Sequence, residues 1–224
     1  MNKKLKIVDL THTLLETVPS WDKNPAFHLS TEYDYKNSGF RAQKIAGELS
    51  AGTHMDAPAH FIESGRTIEK LTLKELFTDC VIVDVSSEAD ENYIIMPSIV
   101  EKFEKNYGKI PEGSFVIFYT GWDAYFETRE KYHNNHKFPS VHVSTAEMLL
   151  KRNIAGLGID TLSPDTGKKG FPVHLAILGA DKYLVENINN AGLLPPIGAK
   201  SMVLPIKIKG GTEAPIRLVA LIKA

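Results

Sequence analysis

Residues 72–85 read TLKELFTDCVIVDV and predict a short helix followed by a buried strand. Thr72 and Glu75 have the spacing of a capping box, which opens a helix at Leu73. The run CVIVDV at 80–85 has apolar residues on both of its faces, which is typical of a central strand in a parallel sheet. A helix beside a buried strand indicates an α/β fold.

The alternation of helix and strand continues along the chain. Residues 97–107 have apolar side chains at helical spacing before Gly108, and SFVIFY at 114–119 predicts a second buried strand. Ser144 and Glu147 form a second capping box, which predicts a helix through Arg152. Further strands are expected at 5–10, 27–33, 54–56, 154–160 and 183–187, with a helix at 172–179 and a C-terminal hairpin turning at 210–211. Because no linker divides these elements, the prediction is a single domain over residues 1–224.

The composition indicates a globular protein without affinity for nucleic acid. Lys and Arg number 26 against 27 Asp and Glu, so the chain has no net basic field to attract phosphates. The single cysteine, Cys80, lies in an apolar run and is predicted to be a buried, inert thiol. Residues 1–10 contain neither a signal peptide's apolar region nor a membrane span. A cytoplasmic location without membrane association is therefore expected.

The densest polar cluster is GTHMDAPAHF at residues 52–61. If its first half is extended, His54 and Asp56 project from the same face, because side chains of a strand alternate. A turn at Pro58 brings His60 back toward that face. Two imidazoles and a carboxylate are ligands of zinc and manganese sites, so the cluster is a candidate metal centre.

Two ionisable residues elsewhere support that interpretation. His174 ends the segment FPVH, and Glu186 lies in an apolar strand, where burying a carboxylate is costly unless it is paired or ligated. The residues alone leave a structural alternative open, because histidines cluster by chance and a single buried histidine is more often part of the core. A metal site that draws on both stretches of chain is the sharper hypothesis.

Other polar and aromatic residues are weaker candidates. His133 and His136 lie in a polar, loop-like stretch, which favours a solvated surface over a metal site. Asp160 ends a strand, where it either belongs to a functional site or caps the following turn. Trp21 and Trp122 either line an aromatic pocket or pack in the core.

Several motifs occur together in one order, and through them the chain resembles a known family. They are DLTHTL at 9–14, GTHMDAPAHF at 52–61, TGW at 120–122, GIDTLSPD at 158–165, FPVH at 171–174, Glu186-Asn187, and LPIKIKGG followed two residues later by API. Nearly end to end, the chain resembles the metal-dependent cyclase-like hydrolases that include bacterial kynurenine formamidase and isatin hydrolase. The resemblance implies a compact swivelling β/β/α domain, with a central mixed sheet or small barrel and flanking helices, assembled as a homodimer or homotetramer.

The resemblance also implies roles for individual residues. The implied metal ligands are His54, Asp56, His174 and Glu186, and His60 acts as a general acid/base or as an additional ligand. The family pattern has a histidine where this chain has Ser50, and a serine hydroxyl is a poor ligand for zinc or manganese. One or two divalent ions, zinc or manganese, are therefore expected, and Ser50 favours one.

The activity implied by the resemblance is hydrolysis of an amide-type C–N bond in a small substrate. Such a substrate is a formamide or a cyclic amide, aromatic ones included, and the enzyme would be of the arylformamidase type. His60 would serve as general acid/base toward a metal-activated water. Two alternatives stay open: a non-catalytic protein that binds metal or a small ligand, and a metal-independent cyclase or lyase in which His60 and Asp56 form an acid/base pair.

Overall fold

A closed β-sheet forms the centre of the computed structural model, which describes residues 5–168 and 170–223. The strands of the described residues are β1 Leu5–Asp9, β2 Phe27–Tyr33, β3 Ala42–Gly47, β4 His54–Asp56, β5 Phe77–Asp84, β6 Ile94–Ile95, β7 Phe115–Tyr119, β8 Ser140–Val141, β9 Gly156–Ile159, β10 Tyr183–Glu186, β11 Ala199–Pro205 and β12 Glu213–Lys223. The large sheet has the order β1-β12-β11-β5-β7-β9-β10-β4, and β4 also pairs with β12. Seven strands, from β12 round to β4, therefore close into a small barrel, and β1 adds to β12 outside the ring.

The barrel is mixed. Strands β5, β7, β9 and β10 run parallel to one another, whereas β11, β12 and β4 pair with their neighbours in antiparallel fashion. Outside this sheet, β2 pairs with β3 in a hairpin, and β6 pairs with β8. The predicted mixed α/β fold with a small central barrel is confirmed.

Three of the six helices in the described residues cover one face of the parallel strands. The helices are α1 Tyr35–Ser38, α2 Leu73–Leu76, α3 Pro97–Tyr107, α4 Arg129–His133, α5 Val143–Leu150 and α6 Pro172–Gly179. In β5, Val81 and Val83 belong to the apolar cluster that includes α3, α5 and α6, whereas Cys80 and Ile82 belong to a second cluster inside the barrel. Strand β5 is therefore buried on both faces, as the run CVIVDV predicted.

The start of α5 differs from the prediction. The helix begins at Val143, and its N-cap is His142, whose Nδ1 atom accepts a hydrogen bond from the backbone N–H of Ser144. The predicted capping box at Ser144 is therefore wrong: an imidazole two residues earlier satisfies the free amide, and Ser144 lies inside the first turn. The capping box at Thr72 and Glu75 is present as predicted.

Cys80 is buried, with 1% of its surface exposed. Burial raises the pKa of its thiol to about 12, so the thiolate form is disfavoured. The predicted burial of this cysteine is confirmed. None of the helices in the described residues combines the length and the hydropathy that crossing a bilayer requires.

Candidate metal centre

Three neighbouring strands bring acidic and imidazole side chains to one cavity. His54 and Asp56 alternate with buried Met55 in β4 and both line the cavity, as their spacing predicted. The strand register places Glu186 of β10 opposite His54, and Glu213 of β12 opposite Asp56. Strand pairing therefore supplies four of the side chains that line this cavity.

The other two imidazoles come from helical turns. Residues Pro58–His60 form a single 3-10 turn directly after β4, which brings His60 to the cavity. His174 lies in the first turn of α6, where its backbone N–H donates to a carboxylate oxygen of Asp165 at 3.1 Å. The structure thus brings together all five predicted residues, His54, Asp56, His60, His174 and Glu186, around a cavity of about 410 Å³.

Four of these side chains form a closed ring of nitrogen and oxygen atoms. The Nε2 atom of His54 lies 3.5 Å from Oδ1 of Asp56 and 3.4 Å from Oε2 of Glu186. The Nε2 atom of His174 lies 3.6 Å from Oδ2 of Asp56 and 3.3 Å from Oε1 of Glu186. Both Asp56 oxygens and Oε1 of Glu186 are buried without a hydrogen-bond donor among the described residues. Buried carboxylate oxygens of this kind require a positive partner.

The remaining ring nitrogens fix the orientation of both imidazoles. Nδ1 of His54 lies 2.9 Å from the carbonyl oxygen of Gly52, and Nδ1 of His174 lies 2.8 Å from Oδ2 of Asp165. Each of these oxygens only accepts, so we assign the proton to Nδ1 in both rings. The Nε2 atom of each ring faces the carboxylates and is the one that gives up its proton when an ion binds, which is how histidine ligands of metals are commonly held.

The donor set fits a divalent transition-metal ion. Two imidazoles with two carboxylates suit zinc and manganese. Each Nε2 atom lies between 3.3 and 3.6 Å from one oxygen of Asp56 and one oxygen of Glu186. His54, Asp56 and Glu186 form one group whose donor atoms are close enough together to share an ion, and Asp56, His60 and His174 form another.

The charges of the ring shift the pKa values of its members. Burial alone would lower the pKa of His54, but the carboxylates of Glu186 and Asp56 outweigh it and raise that pKa to about 9. Burial likewise opposes the charged form of His174, and the carboxylates of Asp165, Glu186 and Asp56 raise its pKa to about 10. Burial and the neighbouring Glu186 raise the pKa of Asp56. A metal ion bound there therefore competes with protons for the same atoms.

His60 differs from the other two imidazoles. Its side chain is 29% exposed, and its Nδ1 atom lies 3.4 Å from Oε2 of Glu213. Burial lowers the pKa of His60, so its ring is neutral near pH 7 and has a lone pair that accepts a proton. His60 also groups with Asp56 and His174 at distances that suit a metal ion. The geometry thus permits either role that the sequence suggested, a base or a ligand.

Aromatic side chains form part of the cavity wall. Trp21, Phe61 and Phe171 line it, and Phe171 packs against both of the others with ring centroids 5.4 Å apart. Ser50 also lines the cavity, at the position where the family pattern has a histidine. Trp122 is buried elsewhere, and its Nε1 atom donates to the carbonyl oxygen of Tyr132. Of the two tryptophans, only Trp21 belongs to the pocket.

Two predictions about secondary candidates need correction or completion. His133 and His136 do not form a solvated surface: His133 is buried, and the Nε2 atoms of both rings lie within 3.0 Å of the Trp21 carbonyl oxygen. This shared acceptor fixes the segment that carries Trp21. Asp160 is the cap of a turn, since its carboxylate accepts hydrogen bonds from the backbone N–H groups of Thr120 and Trp122.

Sequence reasoning missed two residues of the site. Asp165 is the last residue of the motif GIDTLSPD, and it holds both the ring and the backbone of His174. Glu213 follows the turn at 210–211 and contacts His60. For Asp165 the signal was an acid after a buried strand and shortly before FPVH. For Glu213 the sequence held no local signal, because its place opposite Asp56 depends on a strand pairing across more than half of the chain.

Comparison with known proteins agrees with this architecture. A model of the family described as "Putative cyclase" matches residues 8–166. The isatin hydrolase of Roseibium aggregatum is 28% identical, over 99% of this chain and 94% of its own length. The kynurenine formamidase of Maricaulis maris is 24% identical, over 96% of this chain and 97% of its own. The solved structure of isatin hydrolase A from Ralstonia solanacearum has a TM-score of 0.89 and 26% identity, covering 98% of this chain and 92% of that chain.

Proposed function

The chain belongs to the cyclase family, and on this premise we propose that it is a metal-dependent hydrolase that cleaves an amide-type C–N bond in a small substrate. The observation that carries the proposal is the buried ring of His54, Asp56, His174 and Glu186, in which both oxygens of Asp56 lack a hydrogen-bond donor among the described residues. The names of the two relatives, isatin hydrolase and kynurenine formamidase, support hydrolysis and the arylformamidase type.

The proposed ligands are the four members of the ring. A divalent ion bound by them supplies an acidic water and an electrophile for the carbonyl oxygen of the substrate. Asp165 and the Gly52 carbonyl hold the two imidazoles in the tautomer that binds a cation. The protein thus fixes the ligands before an ion arrives.

His60 moves the proton in the proposed reaction. Its neutral imidazole accepts a proton from the attacking water, whose oxygen forms a bond to the carbonyl carbon. The C–N bond then breaks, and His60 returns the proton to the departing nitrogen, so the products are a carboxylic acid and an amine. Glu213, 3.4 Å from Nδ1 of His60, orients the ring for this transfer.

Removal of the metal is expected to abolish hydrolysis. After exhaustive dialysis against a chelator, release of aniline from formanilide should fall to the uncatalysed rate, and addition of Zn²⁺ or Mn²⁺ should restore it. Colorimetric detection of aniline measures the rate, and elemental analysis measures the bound metal. Activity that survives chelation would instead support the metal-independent cyclase or lyase. Tight binding of formanilide without turnover, under every metal tested, would support the non-catalytic alternative.

We propose that each chain binds one ion. A second ion would need a further ligand beside the shared Asp56, and Ser50 lines the cavity in place of the imidazole that would supply it. The Ser50→His variant, which supplies that imidazole, is expected to raise the zinc content from one ion per chain to two. Elemental analysis after gel filtration measures the content, and the Ser50→Ala variant is the matched control, expected to stay at one. Two ions in the unaltered protein would contradict the proposal.

A further inference from the structure

The cavity carries more negative charge than a metal ion requires. Beyond the ring, the carboxylates of Asp22, Glu48 and Glu213 line it, and we refer to these three residues as the acidic rim. Within the described part of the chain, neither lysine nor arginine lines the cavity. Because a divalent ion balances the charges of Asp56 and Glu186, the carboxylates of the acidic rim, of which Asp22 and Glu48 are exposed, can attract a further positive group.

The basic side chains around the cavity do not line it. Lys168 lines a separate cavity that shares Trp21 and Phe171 with this one. The Nζ atom of Lys23 donates to Oδ1 of Asn135 at 2.6 Å, on the side of a different cavity. Arg129 donates to the carbonyl oxygen of Asn24 at 2.7 Å and reaches the cavity wall only through the hydroxyl of Ser20, 3.3 Å away. The acidic rim therefore has no side-chain counter-ion among the described residues, apart from its contact with His60.

The apolar part of the wall suits a positively charged group as well. Trp21, Phe61 and Phe171 present aromatic surface to the same cavity as the acidic rim. The faces of aromatic rings attract ammonium groups, and aromatic walls beside carboxylates are a recurring way to bind organic cations. A cavity of about 410 Å³ has room for one substituted ring.

We propose that the substrate of this site is an amide that also carries a positively charged nitrogen, a protonated amine or a quaternary ammonium, which binds between the acidic rim and the aromatic wall. The inference rests on the proposed function, because the ring of ligands locates the scissile amide. An anionic substituent in the same place would face three carboxylates in a cavity that, among the described residues, neither lysine nor arginine lines. The site therefore selects among amides by charge.

Three para-substituted formanilides test the proposal, and the cationic and the neutral one have the same shape. Their para substituents are trimethylammoniomethyl, neopentyl and carboxymethyl, which carry positive, zero and negative charge at every pH near neutrality. With the zinc-loaded protein, kcat/KM for the cation is expected to exceed that for the neutral isostere by about ten-fold, and the anion is expected to be poorer than the neutral compound. Hydroxide-catalysed rates of the same compounds correct for their intrinsic reactivity.

Variants of the acidic rim test whether these carboxylates cause the preference for the cationic formanilide. In the double variant Asp22→Asn with Glu48→Gln, the ratio of kcat/KM between the cationic and the neutral formanilide is expected to fall by about three-fold. The matched control is Glu101→Gln, which removes an exposed carboxylate from α3, away from the cavity, and should leave the ratio unchanged. A double variant that keeps the full ratio would overturn the assignment to these residues.

Calorimetric binding of the same three compounds separates this inference from the proposed function. If no formanilide is hydrolysed but the cation still binds most tightly, the hydrolase proposal fails and the charge preference stands. If all three are hydrolysed and bind with equal affinity, the hydrolase proposal stands and the charge preference fails. Tighter binding of the anion would overturn the inference regardless of turnover.

Discussion

Replacing Asp56 with asparagine is expected to remove the metal ion and the catalytic activity together. Asp56 contacts both ring imidazoles, at 3.5 Å from His54 and 3.6 Å from His174, and it belongs to both groups of donors that suit a metal. The amide has the same size but lacks the charge, so it is a weak ligand for a transition metal. We expect less than one tenth of the normal zinc content and a loss of about 10³-fold or more in kcat/KM for formanilide.

Asp165→Asn is the matched control for that experiment. Asp165 is also a buried aspartate, but it contacts His174 at Nδ1, away from the proposed metal position. A residue of this kind typically changes metal affinity by about 10 to 100-fold, so this variant should still load at high zinc concentration. Circular dichroism of both variants checks that they fold. Full zinc content in Asp56→Asn would contradict the assignment of Asp56 as a ligand.

The parts of the site that depend on local geometry could be predicted from the sequence. His54 and Asp56 share a face because side chains alternate in a strand, and the turn that returns His60 follows from a proline that cannot donate to a sheet. The buried faces of β5 could be predicted in the same way. Each of these inferences uses residues within a few positions of one another.

The parts that depend on strand register could not be predicted. Glu186 pairs opposite His54, and Glu213 pairs opposite Asp56, across stretches of more than 130 residues. A shift of one residue in either pairing would turn the carboxylate to the other side of the sheet, and no local pattern fixes that register. The apolar strand around Glu186 indicated that this carboxylate needs a partner, and the resemblance to a family implied its role as a ligand, whereas Glu213 lies at a position for which the motif specifies no residue.

Polar residues that hold loops together were the other group whose role the sequence did not resolve. Asp160 has the sequence signature of a site residue, an acid at the end of a buried strand, yet its carboxylate holds the turn after β7. His133 lies in a hydrophilic segment, yet it is buried because the Trp21 carbonyl oxygen offers it an acceptor. In both cases the deciding partner is far away in the sequence. Polarity alone therefore did not distinguish a structural hydrogen bond from a catalytic group.

The second large effect that we predict is on catalysis, and it comes from His60. His60 is the one predicted imidazole of the site that is partly exposed. Burial lowers its pKa, whereas the pKa values of His54 and His174 are raised. For a base of this kind, activity rises as the pH increases through its pKa, so the acid limb of the kcat/KM profile should lie below the usual histidine value of about 6.5. That limb identifies the group that the following variant removes.

Replacing His60 with alanine is expected to lower kcat for formanilide by about 10² to 10⁴-fold while the zinc content stays close to normal. The physical reason is that the four proposed metal ligands stay in place, whereas the imidazole that accepts the proton of the water is lost. Steady-state kinetics and elemental analysis on the same preparation separate the two effects, and the acid limb of the pH profile should disappear. His28→Ala, which removes an exposed imidazole from β2, is the control and should change neither quantity. Loss of zinc in His60→Ala would make His60 a ligand, and unchanged turnover would refute its role as the base.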